Sequence, residues 1–109
     1  MTWLVRGEDV LAAAELAVTR RDRRKGLLGR EQHNGVLILR PCRQVHSLGM
    51  KFPIDVAFCD GDGFVLRTAT LAPWRVSRPV PRARFVIEAG AGAFDRWKLA
   101  VGDTVEIRG

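Results

Sequence analysis

The sequence predicts a small, mainly β fold: a single-domain barrel or sandwich with one or two short helices. Three observations predict it. Six or more short apolar stretches with strand character recur at close spacing, divided by turn residues. Helical pattern is confined to brief segments. A chain of 109 residues that is 47% hydrophobic has material for one core and not two, so residues 1–109 are read as one domain, without repeats or low-complexity stretches.

The elements follow in order. "TWLV" opens the chain as a strand, and the polar turn "RGED" leads into "VLAAAELAVT". Propensity alone favours a helix over "EDVLAAAELA", because Ala, Glu and Leu are good helix formers. Thr19 can then cap a short basic helix, "RRDRRKGLL", with Asp22 in a capping-box-like position, Leu27 and Leu28 as anchors and Gly29 closing the turn. "HNG" is a turn signal, and "VLILR" after it reads as a buried strand. In "PIDVAFC", alternation puts Ile54, Val56 and Phe58 on one face and Asp55, Ala57 and Cys59 on the other. Asp55 is thereby expected to face solvent or a polar pocket. "DGDG" turns this strand into "FVLRTATL" as a hairpin. The three prolines of "APWRVSRPVPR" make it an irregular crossing loop. "ARFVIEA" is the next strand, "GAFDRWKLA" a short helical turn, and "VGDTVEIR" the closing strand.

Charge restricts the partners. The net charge is +6 and the sequence pI is about 10.6. "RRDRRK", Arg20 to Lys25, holds a net +4 of it, so Arg20, Arg21, Arg23, Arg24 and Lys25 are the candidate nucleic-acid-binding residues. A solvated helix face is the plainer account of that run. No stretch approaches the roughly 20 apolar residues of a membrane span, and the N-terminal apolar run is broken by Asp9 and Glu15. The reading is a cytoplasmic protein that does not engage membranes; Cys42 and Cys59 could pair geometrically, but a lone pair does not fix the compartment, and reduced thiols are expected.

The chemistry concentrates in "CRQVHSLGMKFPIDVAFCDGDG", residues 42–63. If residues 46–52 are extended, His46, Leu48, Met50 and Phe52 share one face. A bend at Pro53 would then bring His46 to Asp55. That arrangement makes a ligand pocket with His46 and Asp55 as polar fixings and Met50, Phe52 and Trp74 as walls. The same residues allow an acid/base pair of His46 with Asp55, or a nucleophile pair of Cys42 with His46. Cys42, His46 and Met50 are soft-metal ligand types, but their spacing matches no structural zinc pattern, so no metal is expected. Cofactor, catalytic residues and oligomeric state are not specified by the sequence. "DGDG" lacks the length and closing glutamate of a calcium loop. Trp74 with Arg75, Arg78, Arg82 and Arg84 is an aromatic and basic loop of the kind that binds single strands, although only one aromatic lies in it.

Arg23–x–x–Gly26–Leu27–x–x–Arg30, Gly35, "HSLGMKFPIDVAFCDGDG", "VIEAGAG" and "VGDTV" together resemble the domain of unknown function 192 family, from about residue 10 to residue 107. Leu48 and Gly49 stand where many members carry a Phe-Trp pair, and Leu28 where methionine is common, which places the chain in a His-containing subgroup. The resemblance implies a small, mostly β domain and turns residues 9–18 from helix to strand. It matches Glu88, Gly92, Gly102 and Asp103 to family positions, and it adds Glu88 to the candidate ligand-binding set of His46, Met50, Asp55 and Trp74. It supplies no activity. The expectation is a small-ligand-binding β-barrel module with its pocket at the His46–Asp55 bend. The alternatives are a nucleic-acid-associated basic protein, or an enzyme using His46 with Asp55 or Cys42.

Overall fold

The computed structural model describes residues 1–28 and 35–109. Among these residues, seven strands form one sheet: β1 (Thr2–Arg6), β2 (Asp9–Ala17), β3 (Val36–Leu39), β4 (Ile54–Cys59), β5 (Val65–Leu71), β6 (Phe85–Gly90) and β7 (Glu106–Arg108). Helix α1 (Arg20–Lys25) lies between β2 and β3, and α2 (Ala93–Trp97) between β6 and β7. The strand order is β5-β4-β6-β3-β2-β1-β7. Every pairing is antiparallel except β2 with β3, which run parallel from Ala14↔Val36 to Ala17↔Leu39. A parallel pair needs a crossover between its strands, and residues 18–35 provide it, α1 included.

The sheet curls until its two ends touch. A bridge joins Phe64 to Thr104, and backbone bonds from Val65 N to Asp103 O and from Val105 N to Gly63 O reinforce it. The result is a half-barrel, as the mainly β reading expected. Leu4, Val36, Ile38, Ile87, Ala57 and Val65 fill its inner side together with Phe94 of α2. Leu37, Leu39, Val56, Phe58 and Val86 form a second cluster on the opposite side, with Leu27 and Met50 packed among them. The central strands are therefore covered on both faces, which explains the unbroken apolar run "VLIL".

The structure bears out one local expectation and corrects two. Residues 9–17 are the strand that the family resemblance implied and not the helix their propensity favours, because hydrogen bonds to β1 on one side and β3 on the other outweigh a preference of a few tenths of a kcal/mol per residue. Residues 46–52 are not extended. Met50 N donates to Ser47 O in a turn with Gly49 at φ +82°, so Met50 is buried while Leu48 is 41% exposed. Asp55 faces neither solvent nor an open pocket, since all of β4 is buried. Thr19 does cap α1, its Oγ1 accepting from Asp22 N at 3.0 Å, but Gly26 ends the helix at φ +51°. The expected closure at Gly29 and the "HNG" turn fall outside the described residues.

Candidate functional site

The strongest chemical feature of the molecule lies beneath α1. Glu88 sits in the middle of β6, opposite Leu37 on β3 and Val56 on β4, on the side of the sheet that α1 covers. Only 2% of it is exposed. The Leu27 backbone amide donates to its carboxylate, and Oε1 has no hydrogen-bond partner among the described residues. Burial pushes the Glu88 carboxyl up to about 7, with the Leu27 bond opposing in part. The end of α1 crosses directly over this group: a Cβ on Gly26 would stand 2.8 Å from Glu88 Oε1. Glycine suits position 26 for its positive φ, and a Cβ there would also displace the end of the Glu88 side chain.

Glu88 lines a hollow of about 310 Å³ whose wall includes Arg20, Arg23 and Arg24 from α1 and Cys42, Arg43 and His46 from the segment after β3. A wider, more apolar groove of about 710 Å³ runs beside it, between Arg20, Arg21, Arg24 and Lys25 and the side chains of Leu28 and His46. The volumes span the usual range of small-molecule sites. Arg23 is partly committed to holding α1 down, donating to the carbonyls of Val18 and Arg40. The other α1 cations lie exposed along the rim.

His46 stands between the two hollows with its imidazole fixed at both nitrogens. Leu48 N donates to Nδ1 at 3.1 Å, so the proton resides on Nε2, which faces Arg24 O at 3.0 Å. A histidine bonded in this way orients the loop and has no free nitrogen for proton transfer. Cys42 Sγ contacts Gln44 O at 3.2 Å, and burial pushes its thiol up, further from the nucleophilic thiolate. Cys59 is pushed up to about 12, again by burial, and both cysteines are free thiols.

The structure separates the other residues of the predicted pocket. Asp55 is turned to the opposite side of the sheet, where Oδ2 accepts from Gly92 N at 3.0 Å and Phe94 N at 3.2 Å, and Oδ1 from Thr70 Oγ1 at 2.8 Å. It fastens the start of α2 to the sheet, so the His46–Asp55 bend is not a pocket. Met50 is core. Trp74 is 65% exposed at φ +66° on a loop pinned by Ser47, whose Oγ donates to Ala72 O and accepts from Arg75 N. It lines neither hollow. His46 and Glu88 are brought together with the basic run, and Cys42 joins them. Arg43 and the fit of Gly26 over Glu88 had no sequence signal. Glu88 had one, a single acid inside the apolar run "FVIEA". Among the described residues, no group of three His, Cys, Asp or Glu side chains could hold a metal ion, and no helix is long and apolar enough to cross a membrane.

Fold and site define a class: a half-barrel domain with a buried carboxyl group roofed by a cationic crossover helix. The chain belongs to the DUF192 family of uncharacterised proteins, whose model matches residues 2–107. It is 40% identical over 62 residues to a UPF0127 protein of Pyrococcus abyssi and 37% identical over 62 residues to one of Pyrococcus horikoshii. Those matches cover 57% of this chain and about half the length of each relative, 53% and 54%. Two crystal structures share the fold. A protein of unknown function from Novosphingobium aromaticivorans superposes with a TM-score of 0.82 at 23% identity, over 96% of this chain and 82% of the other. A candidate transcription regulator from Sinorhizobium meliloti superposes at 0.80 and 21% identity, over 97% and 91%.

Proposed function

We propose that this protein is a small-ligand-binding domain whose site is the hollow under α1, lined by Glu88, His46, Cys42 and the arginines of the rim. One observation carries the reading: Glu88, whose Oε1 is buried and unpartnered among the described residues, borders a 310 Å³ hollow. Leaving a buried polar atom unpaired costs about 1–3 kcal/mol. Folds retain such a cost where the atom has a use, and a ligand's polar group supplies the missing bond.

The test is a thermal-shift screen of small polar molecules against wild type, Glu88→Gln and Trp74→Ala. A ligand at about 100 times its Kd adds about 2.7 kcal/mol, a shift of several degrees in a domain of this size. Wild type and Trp74→Ala should respond alike, and Glu88→Gln should respond less. A screen without a single stabilising compound, or a response indifferent to Glu88, removes the reading.

The second reading is association with nucleic acid through Arg20, Arg21, Arg24 and Lys25. It is supported by their exposure on one short helix. The Sinorhizobium protein, described as a candidate transcription regulator, shares the fold at 21% identity.

A further inference from the structure

We propose that the hollow beneath α1 is a proton-coupled oxyanion site, in which a small carboxylate or phosphate lies against Arg20, Arg24 and Arg43 and accepts a hydrogen bond from Glu88 in its acid form. This rests on the reading of the hollow as a ligand site and adds the class of ligand and the proton that accompanies it.

The argument begins with what Glu88 does not do. A carboxylate bordering a space lined by four arginines would ordinarily pair with one of them. Yet Glu88 Oε1 meets no cation within bonding distance among the described residues. Of the four, Arg23 is held on the carbonyls of Val18 and Arg40, while Arg20, Arg24 and Arg43 are exposed at the mouth. Among the described residues, the lining thus has cations that its own acid does not neutralise, and an acid whose Oε1 lacks a partner. An oxyanion satisfies both at once, provided that Glu88 keeps its proton, because two carboxylates in contact cannot both stay ionised. The balance is simple: one anion and one proton enter, and the proton resides on Glu88 and is shared with the anion.

The surroundings leave Glu88 as the group that changes state. Across the sheet it faces Leu37 and Val56, both apolar. From α1 it faces the guanidinium groups of Arg20, Arg23 and Arg24. From the segment after β3 it faces Cys42, Arg43 and His46. The Cys42 thiol is moved away from ionisation by burial. His46 Nδ1 is taken up by the bond from Leu48 N. Burial of Glu88, pushed up to about 7, places the exchange near neutrality.

Isothermal titration calorimetry with sulfate and, separately, acetate tests this, at about pH 7.5 in two buffers of different ionisation enthalpy. Wild type should take up more than about half a proton per anion bound, and its affinity should fall nearly tenfold per pH unit above about pH 8. Folded Glu88→Gln should bind without uptake and with a flat pH profile. Response to sulfate alone marks a phosphate-like ligand, and response to acetate alone a carboxylate. Anion binding without proton uptake in wild type, or uptake that persists in Glu88→Gln, overturns the proposal. So does the failure of both anions to bind, and a stabilising non-anionic ligand in the thermal-shift screen would then leave the broader reading intact.

Discussion

Glu88 is a carboxyl group shut away from water, and among its described neighbours only the Leu27 amide engages it. Folding raises its pKa from the ordinary 4.5 to about 7, so the folded chain keeps a proton that the unfolded chain releases between those values. The native state is then relatively most stable below about pH 4.5 and loses stability as the pH rises through 7. Above that, the ionised group costs the fold up to about 3 kcal/mol. Glu88→Gln removes this dependence. Unfolding of both proteins from pH 5 to pH 8 should show the variant gaining on wild type by up to about that amount, and a constant difference across the range would refute it. Asp55 is the contrasting case. It is as deeply placed, at 4% exposed, but three donors satisfy it. The two acids look alike in sequence, each a lone acid in an apolar strand. Only the neighbours brought from distant elements tell them apart, and for that reason Asp55 could be mistaken for part of a site.

At the scale of elements, α2 has five residues and no side-chain cap of its own from Gly92. Its first amides are met instead by Asp55 across the fold, so helix and sheet are joined by one carboxylate. Asp55→Ala would leave the amides of Gly92 and Phe94 and the Thr70 hydroxyl without this acceptor, costing about 3 kcal/mol. Denaturant unfolding should show that loss, whereas anion binding under α1 should be unaffected in the fraction that remains folded. A variant as stable as wild type would remove the capping role. Much at this scale was legible in advance. Thr19 with Asp22 marked the start of α1, the prolines of residues 72–82 marked a loop, and alternation marked β4. β2 was not legible from propensity, because the sheet contacts that decide it come from β1 and β3. The 46–52 turn was missed because Ser47, with no helix or strand signal, organises it through Trp74, Arg75 and Ala72.

For the whole molecule, the positions carrying the family resemblance fall into two groups. Gly92 and Asp55 fasten α2, and Gly102 and Asp103 form the turn before β7, where Asp103 also pairs with Arg6 at 3.0 Å. Gly26 and Glu88 build the hollow. Most of the fold was therefore readable from local pattern, with β2 supplied by the family resemblance, but the site was not, since its components lie on β6, α1 and the segment after β3. The net charge of +6 bears on partners at this scale. If nucleic acid associates with α1, the affinity of a labelled oligonucleotide should fall steeply with salt, about tenfold or more between 50 and 200 mM for several phosphate contacts. Reversing the charge of Arg20, Arg21, Arg24 and Lys25 should abolish it. No binding at low salt, or binding insensitive to the reversal, excludes this partner.

Among the described residues one pairing, β2 with β3, is parallel, and it obliges the chain to run back along the length of β2 before β3 begins. The roof of the hollow is built within that return journey, not from any strand. If the hollow binds a ligand as proposed, substitutions in α1 should alter which ligand it takes without re-registering any strand.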